Sequence, residues 1–215
     1  MNLPEFKAAM FDMDGTLTRT MRYWRLTSLE FLLSLGIFPT AEQMSRVLTS
    51  SSRSYCQEIL AEHGIEMSKD EILKKLEFYM KRHYETDATA KPRVSEFLDT
   101  LKERGIPMCI GTAAPRELAI LVLTRLGLID YFDFVVDCYQ YGIDKTSPDF
   151  FRMMADKMGV KPEEMCVFED AVYSIRTAKE LGCPVVGIED QTQRNDRDEI
   201  IALSDIYIRE YEELL

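Results

Sequence analysis

Phe6-Lys7-Ala8-Ala9-Met10-Phe11 is a short, mostly apolar run that ends at Asp12-Met13-Asp14-Gly15. It does not alternate between polar and apolar residues, and this is typical of a strand buried on both faces of a sheet. Similar runs recur along the chain at 107–112, 134–136, 165–168, 184–188 and 205–208. These runs predict a sheet that is covered on both sides.

Segments with helical spacing separate these strands after residue 92. In Val94–Leu101 the apolar positions 94, 97, 98 and 101 fall on one helix face, and Gly105 can end the helix. The same pattern recurs at 115–127, 148–159 and 170–182. Alternating helices and strands predict right-handed βαβ units. The expected fold class is therefore α/β, a Rossmann-like three-layer core with a parallel sheet.

Residues 18–90 interrupt this alternation. They show only helical patterns, at about 21–35, 41–48, 53–63 and 69–84. Because some 70 residues are too many for an ordinary loop, we expect a small all-helical domain inserted after the first strand. The predicted organisation is a catalytic core of residues 1–17 and 91–215, with a helical domain of residues 18–90.

Composition and charge narrow the possible functions. A chain of 215 residues with 46% hydrophobic and 29% charged residues is typical of a folded protein, either one domain or one domain plus a modest insertion. The net charge of −11 disfavours nucleic-acid binding. The five scattered cysteines include no CxxC pair and indicate reduced thiols, and no apolar run reaches about 18 residues. We expect a cytoplasmic monomer that does not associate with membranes.

Polar residues follow four of the predicted strands or open the helices after them. Asp12 and Asp14 follow the first strand, and Glu169-Asp170 follow the run at 165–168. Taken alone, each acid pair is also consistent with a purely structural role, to shape a turn or to complement a helix dipole. The carboxyl ends of parallel strands meet at one edge of the sheet, however, and carboxylates clustered there would repel one another without a hard cation. The set therefore predicts a magnesium site.

Two further segments predict an anion site beside these acids. Thr112 and the amides after it precede a helix that opens at Pro115, where free N–H groups attract anions, although a threonine there is most often a helix cap. Lys145 lies just before the helix that opens at Pro148. A cation at a helix start is unfavourable, so Lys145 needs an anionic partner, either a ligand or a neighbouring carboxylate.

Together, four segments resemble the four signatures of the haloacid dehalogenase superfamily of phosphohydrolases. In order, they are Phe11–Leu17, Gly111–Ala114, Lys145–Asp149 and Phe168–Asp170. The helical insertion resembles the type-1 cap of this family. The similarity is greatest to the subgroup of β-phosphoglucomutase, phosphoglycolate phosphatase and small sugar-phosphate phosphatases.

The resemblance implies roles for the residues of these signatures. Asp12 would be the nucleophile that forms an aspartyl-phosphate, and Asp14 the general acid and then the general base. Mg²⁺ would lie between Asp12, the carbonyl of Asp14 and Asp170, with Glu169 nearby or acting through water. Thr112 and Lys145 are also implied as catalytic. The groups implied for phosphate binding are Gly15, Thr112, Ala113 and Lys145.

The helical insertion offers two candidate substrate contacts, Arg53 and Trp24. Relatives place a substrate-contacting residue at a helix start comparable to that of Arg53. Trp24 falls where the mutases of the family have a histidine, and it could pack in the core of the insertion or form a platform for substrate. The only histidines, His63 and His83, lie far along the insertion, and we expect them at the surface or at helix ends.

Three arginines form a basic run at the entry to the insertion: Arg19, Arg22 and Arg25. Most relatives have an acidic residue at the position of Arg19. The run is either a solvated helix face or a set of guanidinium groups for a substrate with more negative charge than one phosphate.

The hypothesis is a magnesium-dependent phosphomonoester hydrolase for a small organophosphate such as a sugar phosphate. One alternative is a β-phosphoglucomutase-like phosphomutase. The other is a catalytically weak magnesium-binding protein that uses the helical domain for protein interactions.

Overall fold

The computed structural model describes residues 3–46 and 52–215 and contains a six-stranded, entirely parallel sheet. The strand order is β3-β2-β1-β4-β5-β6, the order of doubly wound nucleotide-binding folds. The α/β, Rossmann-like fold class predicted from the sequence is confirmed. The strands are β1 (Ala8–Phe11), β2 (Met108–Thr112), β3 (Phe134–Asp137), β4 (Met165–Glu169), β5 (Val185–Ile188) and β6 (Ile206–Ile208).

The helices of the described residues agree closely with the periodic segments of the sequence. Two of them were not predicted: α7, which has four residues, and α10. The helices are α1 (Met21–Ser34), α2 (Ala41–Arg46), α3 (Ser52–Glu62), α4 (Lys69–Thr86), α5 (Val94–Glu103), α6 (Arg116–Arg125), α7 (Cys138–Tyr141), α8 (Pro148–Met158), α9 (Val172–Glu180) and α10 (Arg197–Leu203).

Local chemistry explains the ends of α8, the helix that follows Lys145. The Ser147 side chain accepts a hydrogen bond from the Asp149 amide, and Pro148 occupies the first turn, where its missing N–H costs nothing. Gly159 ends the helix at φ 70°, a conformation that other residues rarely adopt. The loop that carries Lys145 is therefore followed by a well-defined helix start.

The core of the sheet is closely packed around β1. Phe11 stacks on Phe168 of β4 at 4.3 Å between ring centroids. A Cβ at Gly111 in β2 would lie 2.7 Å from Cε of Met10 and 3.0 Å from the Phe150 ring. Any larger residue would displace the end of the Met10 side chain, so the strand before Thr112 lies close against its neighbours.

The chain divides into two compact units. One comprises the residues up to Arg19 and Thr89–Leu215 and contains the sheet, and the other is Thr20–Ala88. The second unit contains α1–α4 and has its own apolar core, which includes Phe31, Tyr55 and Leu76. That this helical unit works as a cap with the predicted domain limits stays a prediction.

All five cysteines are free thiols. Within residues 3–46 and 52–215, no helix combines the length and the apolar character needed to cross a membrane.

Candidate active site

The candidate site lies where β1 and β4 are neighbours. The chain runs from β1 to β2 and β3 on one side and then returns to β4 on the other side of β1, so this is the switch point of the sheet, where ligands bind in open α/β folds. The Asp12 amide donates to the Phe168 carbonyl at 3.0 Å, which fixes the backbone directly after β1. Asp12 therefore lies beside Glu169 and Asp170 at one edge of the sheet.

Lys145 joins the acids of these two strands. Its Nζ atom donates to Oδ1 of Asp12 at 2.6 Å and to Oε2 of Glu169 at 2.9 Å. The lysine is only 2% exposed. Burial alone would lower the pKa of Lys145, but the charges of Asp12 and Glu169 outweigh burial and raise that pKa well above 10.5. Its anionic partners in the folded chain are these two carboxylates.

The Glu169 carboxylate receives four hydrogen bonds. Its Oε1 accepts from the amides of Asp170 and Ala171 at 3.1 and 3.2 Å. Its Oε2 accepts from Lys145 and from the Ser174 hydroxyl, the latter at 2.7 Å. Both oxygens are thus engaged by the protein itself.

Asp12 and Asp170 each keep one carboxylate oxygen without a hydrogen bond. Asp12 and Asp170 are 6% and 2% exposed as whole residues, and neither Oδ2 atom has a partner among the described residues. Oδ1 of Asp170 accepts from the Thr16 hydroxyl at 3.2 Å. A buried carboxylate oxygen without a donor is costly, and this indicates a missing positive partner.

These carboxylates are close enough to hold a metal ion. One oxygen each from Asp12, Glu169 and Asp170 lies within 4.8 Å of the other two. Burial, with repulsion from Glu169, raises the pKa of Asp12 from 3.8 to about 7, although Lys145 opposes the shift. Burial and the charges of Asp12 and Glu169 also raise the pKa of Asp170 well above 3.8. An oxygen-only set with this surplus of negative charge fits Mg²⁺.

Asp14 and Gly15 form the turn after Asp12. Asp14 is 9% exposed, and Gly15 has φ 94° and donates from its amide to the Thr18 carbonyl at 3.0 Å. A φ of 94° strongly favours glycine, which has no side chain to clash with the backbone. This turn places Asp14 at the same edge of the sheet as Asp12.

Thr112 ends β2 and is buried, and its Oγ1 accepts from the Ala114 amide at 3.0 Å. Ala113 between them is exposed. The following helix, α6, is fixed by Asp137, whose Oδ2 accepts from the Arg116 amide at 2.7 Å. Thr112 and the amide of Ala113 therefore occupy a rigid turn at the carboxyl end of β2.

The helical unit contains Trp24 and Arg53. Trp24 is half-buried and packs against the core of that unit. Arg53 lies in the first turn of α3, but its side chain is outside the part of the chain that the structure describes. Contacts of Arg53 and Trp24 with a substrate stay predictions.

The basic run and the two histidines have local partners. Arg19 pairs with Glu210 at 3.0 Å, and Arg22 donates to the Tyr23 hydroxyl at 2.6 Å. Nδ1 of His63 donates to the Ile59 carbonyl at 2.9 Å. His83 lies in the last turn of α4, one of the two settings expected for the histidines, and it is buried there.

Sequence reasoning missed three residues around the acid cluster. Thr16 could have been found from its place in the first signature. Ser174 gave no signal, because a serine in the first turn of a helix is common. Lys91 is a buried ammonium that donates to the Glu189 carbonyl at 2.5 Å, and no sequence pattern indicates that its charge lies near Asp170.

A cavity of about 290 Å³ lies elsewhere, beside the loop after β5. Its lining includes Glu189, Arg194, Arg197 and Tyr207 but none of the acid-cluster residues. The convergence of buried charges, rather than cavity size, therefore marks the candidate site.

The fold and the site define a hydrolase of the haloacid dehalogenase type. The family model of haloacid dehalogenase-like hydrolases matches residues 6–182, and the chain belongs to this family. The resemblance stated from the four signatures is thereby confirmed, as is the assignment to the phosphatase-type enzymes of the family.

Individual relatives agree with this assignment. A phosphorylated carbohydrates phosphatase from Thermotoga maritima is 27% identical over 176 residues, 82% of this chain and 82% of the relative. A fructose-1-phosphate phosphatase from Escherichia coli is 27% identical over 183 residues, 85% of this chain and 96% of the relative. The crystal structure of a putative β-phosphoglucomutase from Thermotoga maritima, 24% identical, has a TM-score of 0.74 and covers 94% of each chain.

Proposed function

We propose that the protein is a magnesium-dependent phosphomonoester hydrolase that acts on a small phosphorylated carbohydrate or a similar organophosphate. The observation that carries the proposal is the buried pairing of Lys145 with Asp12 and Glu169, beside the unpartnered Oδ2 atoms of Asp12 and Asp170. Both relatives at 27% identity are named as phosphatases of phosphorylated sugars, and this supports the substrate class.

The fit to Mg²⁺ rests on the orphaned oxygens. Asp12 and Asp170 would hold the ion through these atoms, with the Asp14 carbonyl as a further oxygen ligand and Glu169 nearby or acting through water. A bound Mg²⁺ supplies charge neutralisation between a carboxylate nucleophile and a dianionic phosphate.

Asp12 and Asp14 carry out the covalent chemistry. A carboxylate oxygen of Asp12 attacks phosphorus while the bond to the leaving alcohol breaks, and Asp14 gives its proton to the leaving oxygen. Asp14 then takes a proton from water as that water attacks the phosphorus of the aspartyl-phosphate, which releases phosphate and restores Asp12. An alcohol needs this proton to leave and a halide does not, so the pair favours phosphate esters over haloacids.

Thr112 and Lys145 stabilise the charge of the transferring phosphoryl group. Lys145 is already held 2.6 Å from the nucleophile, so its ammonium lies beside the oxygens that gain charge. The Thr112 hydroxyl and the amides of Ala113 and Gly15 would hold the remaining oxygens. The cap function of the helical unit, contacts of Arg53 and Trp24 with substrate, a monomeric state and a cytoplasmic location all stay predictions.

The test is Mg²⁺-dependent phosphate release from a panel of sugar phosphates, phosphoglycolate, nucleotides and an aryl phosphate. Asp12→Asn should abolish release without loss of the folded state, as judged by circular dichroism. Product analysis with a bisphosphate primer separates hydrolysis from mutase turnover. Absence of release by folded wild-type protein under all these conditions would overturn the proposal in favour of a binding protein.

A further inference from the structure

Ser174 is a fully buried serine whose hydroxyl bonds to a carboxylate rather than to its own helix. It lies in the first turn of α9, and its Oγ donates to Oε2 of Glu169 at 2.7 Å. Serine and threonine inside helices commonly bond instead to the carbonyl four residues earlier. Thr177 on the same helix does so, donating to the Tyr173 carbonyl at 2.9 Å. Of these two hydroxyls on α9, that of Ser174 is the one directed to a carboxylate.

The oxygen that Ser174 engages is the one that holds Lys145. Oε2 of Glu169 accepts from Ser174 and from Lys145, and Lys145 in turn donates to Oδ1 of Asp12. Hydroxyl donors to an ionised carboxylate at such distances form strong, short hydrogen bonds. A continuous chain of hydrogen bonds therefore runs from Ser174 through Glu169 and Lys145 to the nucleophile.

The same contacts decide which oxygens remain for a cation. Glu169 has both oxygens engaged by protein donors, whereas Asp12 and Asp170 each keep an unpartnered Oδ2 among the described residues. If Glu169 lost its bond to Ser174, its carboxylate could turn away from Lys145 and toward the cation.

We propose that Ser174 is a positioning residue that holds Glu169 against Lys145, so that Lys145 faces Asp12 and Glu169 does not ligate the cation directly. This inference rests on the proposed function. Groups that orient the residues contacting a metal or a substrate typically change affinity or activity by about 10- to 100-fold when removed.

The test is a double-mutant cycle of Ser174→Ala and Glu169→Gln, with Thr177→Val as the matched loss of a buried hydroxyl. Ser174→Ala should lower kcat about tenfold in the wild-type background, with KM for the phosphate ester changed less than about threefold. In the Glu169→Gln background it should have little further effect, because the carboxylate it positions is gone. Thr177→Val should retain wild-type kcat.

Calorimetric titration with Mg²⁺ gives a readout independent of turnover. Ser174→Ala should bind Mg²⁺ at least about threefold more tightly, since a freed Glu169 can add a negatively charged ligand. That change should be absent in the Glu169→Gln background. Ser174→Thr, which keeps the hydroxyl, should restore the wild-type values of kcat and Kd if it folds.

The outcomes separate this inference from the proposed function. If the wild type is active and Ser174→Ala behaves like Thr177→Val, the role of Ser174 is overturned and the hydrolase proposal stands. Additive effects of Ser174→Ala and Glu169→Gln would have the same meaning. A folded but inactive wild type would overturn the hydrolase proposal. The Mg²⁺ titrations would still test Ser174 in that case, and unchanged or weaker binding by Ser174→Ala would overturn its role.

Discussion

Lys145 donates from Nζ to Oδ1 of Asp12 at 2.6 Å, across 133 positions of sequence, with both side chains buried. Replacing this lysine with methionine leaves Asp12 and Glu169 without the ammonium group that both carboxylates contact. We expect Lys145→Met to reduce kcat at least about 10²-fold, the cost typical of removing one donor to a developing charge. Stability in EDTA should fall by about 3 kcal/mol, because breaking a buried ion pair leaves uncompensated charge.

The control for this variant is Lys157→Met, which removes an exposed lysine on α8. It should keep both activity and stability. Mg²⁺ should restore part of the stability of Lys145→Met, because the ion supplies positive charge to the same carboxylates. Equal stability of the two variants in EDTA would contradict a role for Lys145 in balancing this charge.

Removal of the metal is expected to destabilise the wild-type protein. A ligand that binds only the folded state at 100 times its Kd adds about 2.7 kcal/mol. Mg²⁺ should therefore raise the Tm measured by calorimetry, and EDTA should reverse the shift. Asp170→Asn should lose most of this Mg²⁺-dependent rise in Tm. Asp130→Asn changes an exposed acid outside the acid cluster and should retain the rise. Equal shifts in both variants would count against Asp170 as a ligand.

Much of the fold was predictable because each element has a local signal. Phe134–Val136 and Val185–Ile188 are short apolar runs with no alternation, and Val94–Leu101 has clear helical spacing. The helix α10 was missed, and its sequence shows why. Ile200 is the one buried residue of this helix, so no apolar face repeats along it.

The site was predictable only where a residue lies at a strand end or just before a helix start. Asp12 and Asp170 were found because parallel strands bring their carboxyl ends together. Lys145 was found because a cation just before a helix start needs an anionic partner. Ser174 and Lys91 were not found, because their partners are set by side-chain orientation rather than by spacing along the chain. The bond from Ser174 to Glu169 needs α9 to begin at one particular residue, and element boundaries are what sequence patterns predict least well.

Asp87 is expected to make the helical unit sensitive to acid. Nδ1 of His83 lies 2.7 Å from Oδ2 of Asp87, and Nε2 lies 2.9 Å from Oε2 of Glu30. The hydrogen bond with His83, and then that with Thr86, lowers the pKa of Asp87 below 3.8. A lowered folded-state pKa adds stability above the unfolded value of 3.8, and that stability is lost as the pH falls through the folded pKa.

Asp87→Asn should therefore lower Tm at pH 6.5, and its difference from wild type should shrink as the pH is reduced toward 3. The measurement is thermal unfolding followed by circular dichroism at a series of pH values. A difference that stays constant from pH 6.5 to 3 would show that the ionised carboxylate is not responsible.

Arg93 is the one described residue other than glycine with a positive φ, 62°, and it caps the start of α5. The left-handed conformation costs an ordinary residue about 1–2 kcal/mol, whereas glycine adopts it freely. The half-exposed ion pair of Arg93 with Glu96 at 3.2 Å stabilises the folded state by only a few tenths of a kcal/mol, about 0.3. Replacing Arg93 with glycine would relieve this strain, but it would also make the unfolded chain more flexible, and this offsets part of the gain in the free energy of unfolding.

Arg93→Gly should therefore raise the free energy of unfolding by up to about 1 kcal/mol. Arg93→Val should lower it by about 1 kcal/mol, because a branched Cβ is least compatible with a positive φ. Urea unfolding at 25 °C measures both. Arg104→Val, at the other end of α5 with φ −78°, is the control and should change stability by less than about 0.5 kcal/mol. Equal free energies of unfolding for Arg93→Val and Arg93→Gly would show that the backbone at residue 93 is not strained.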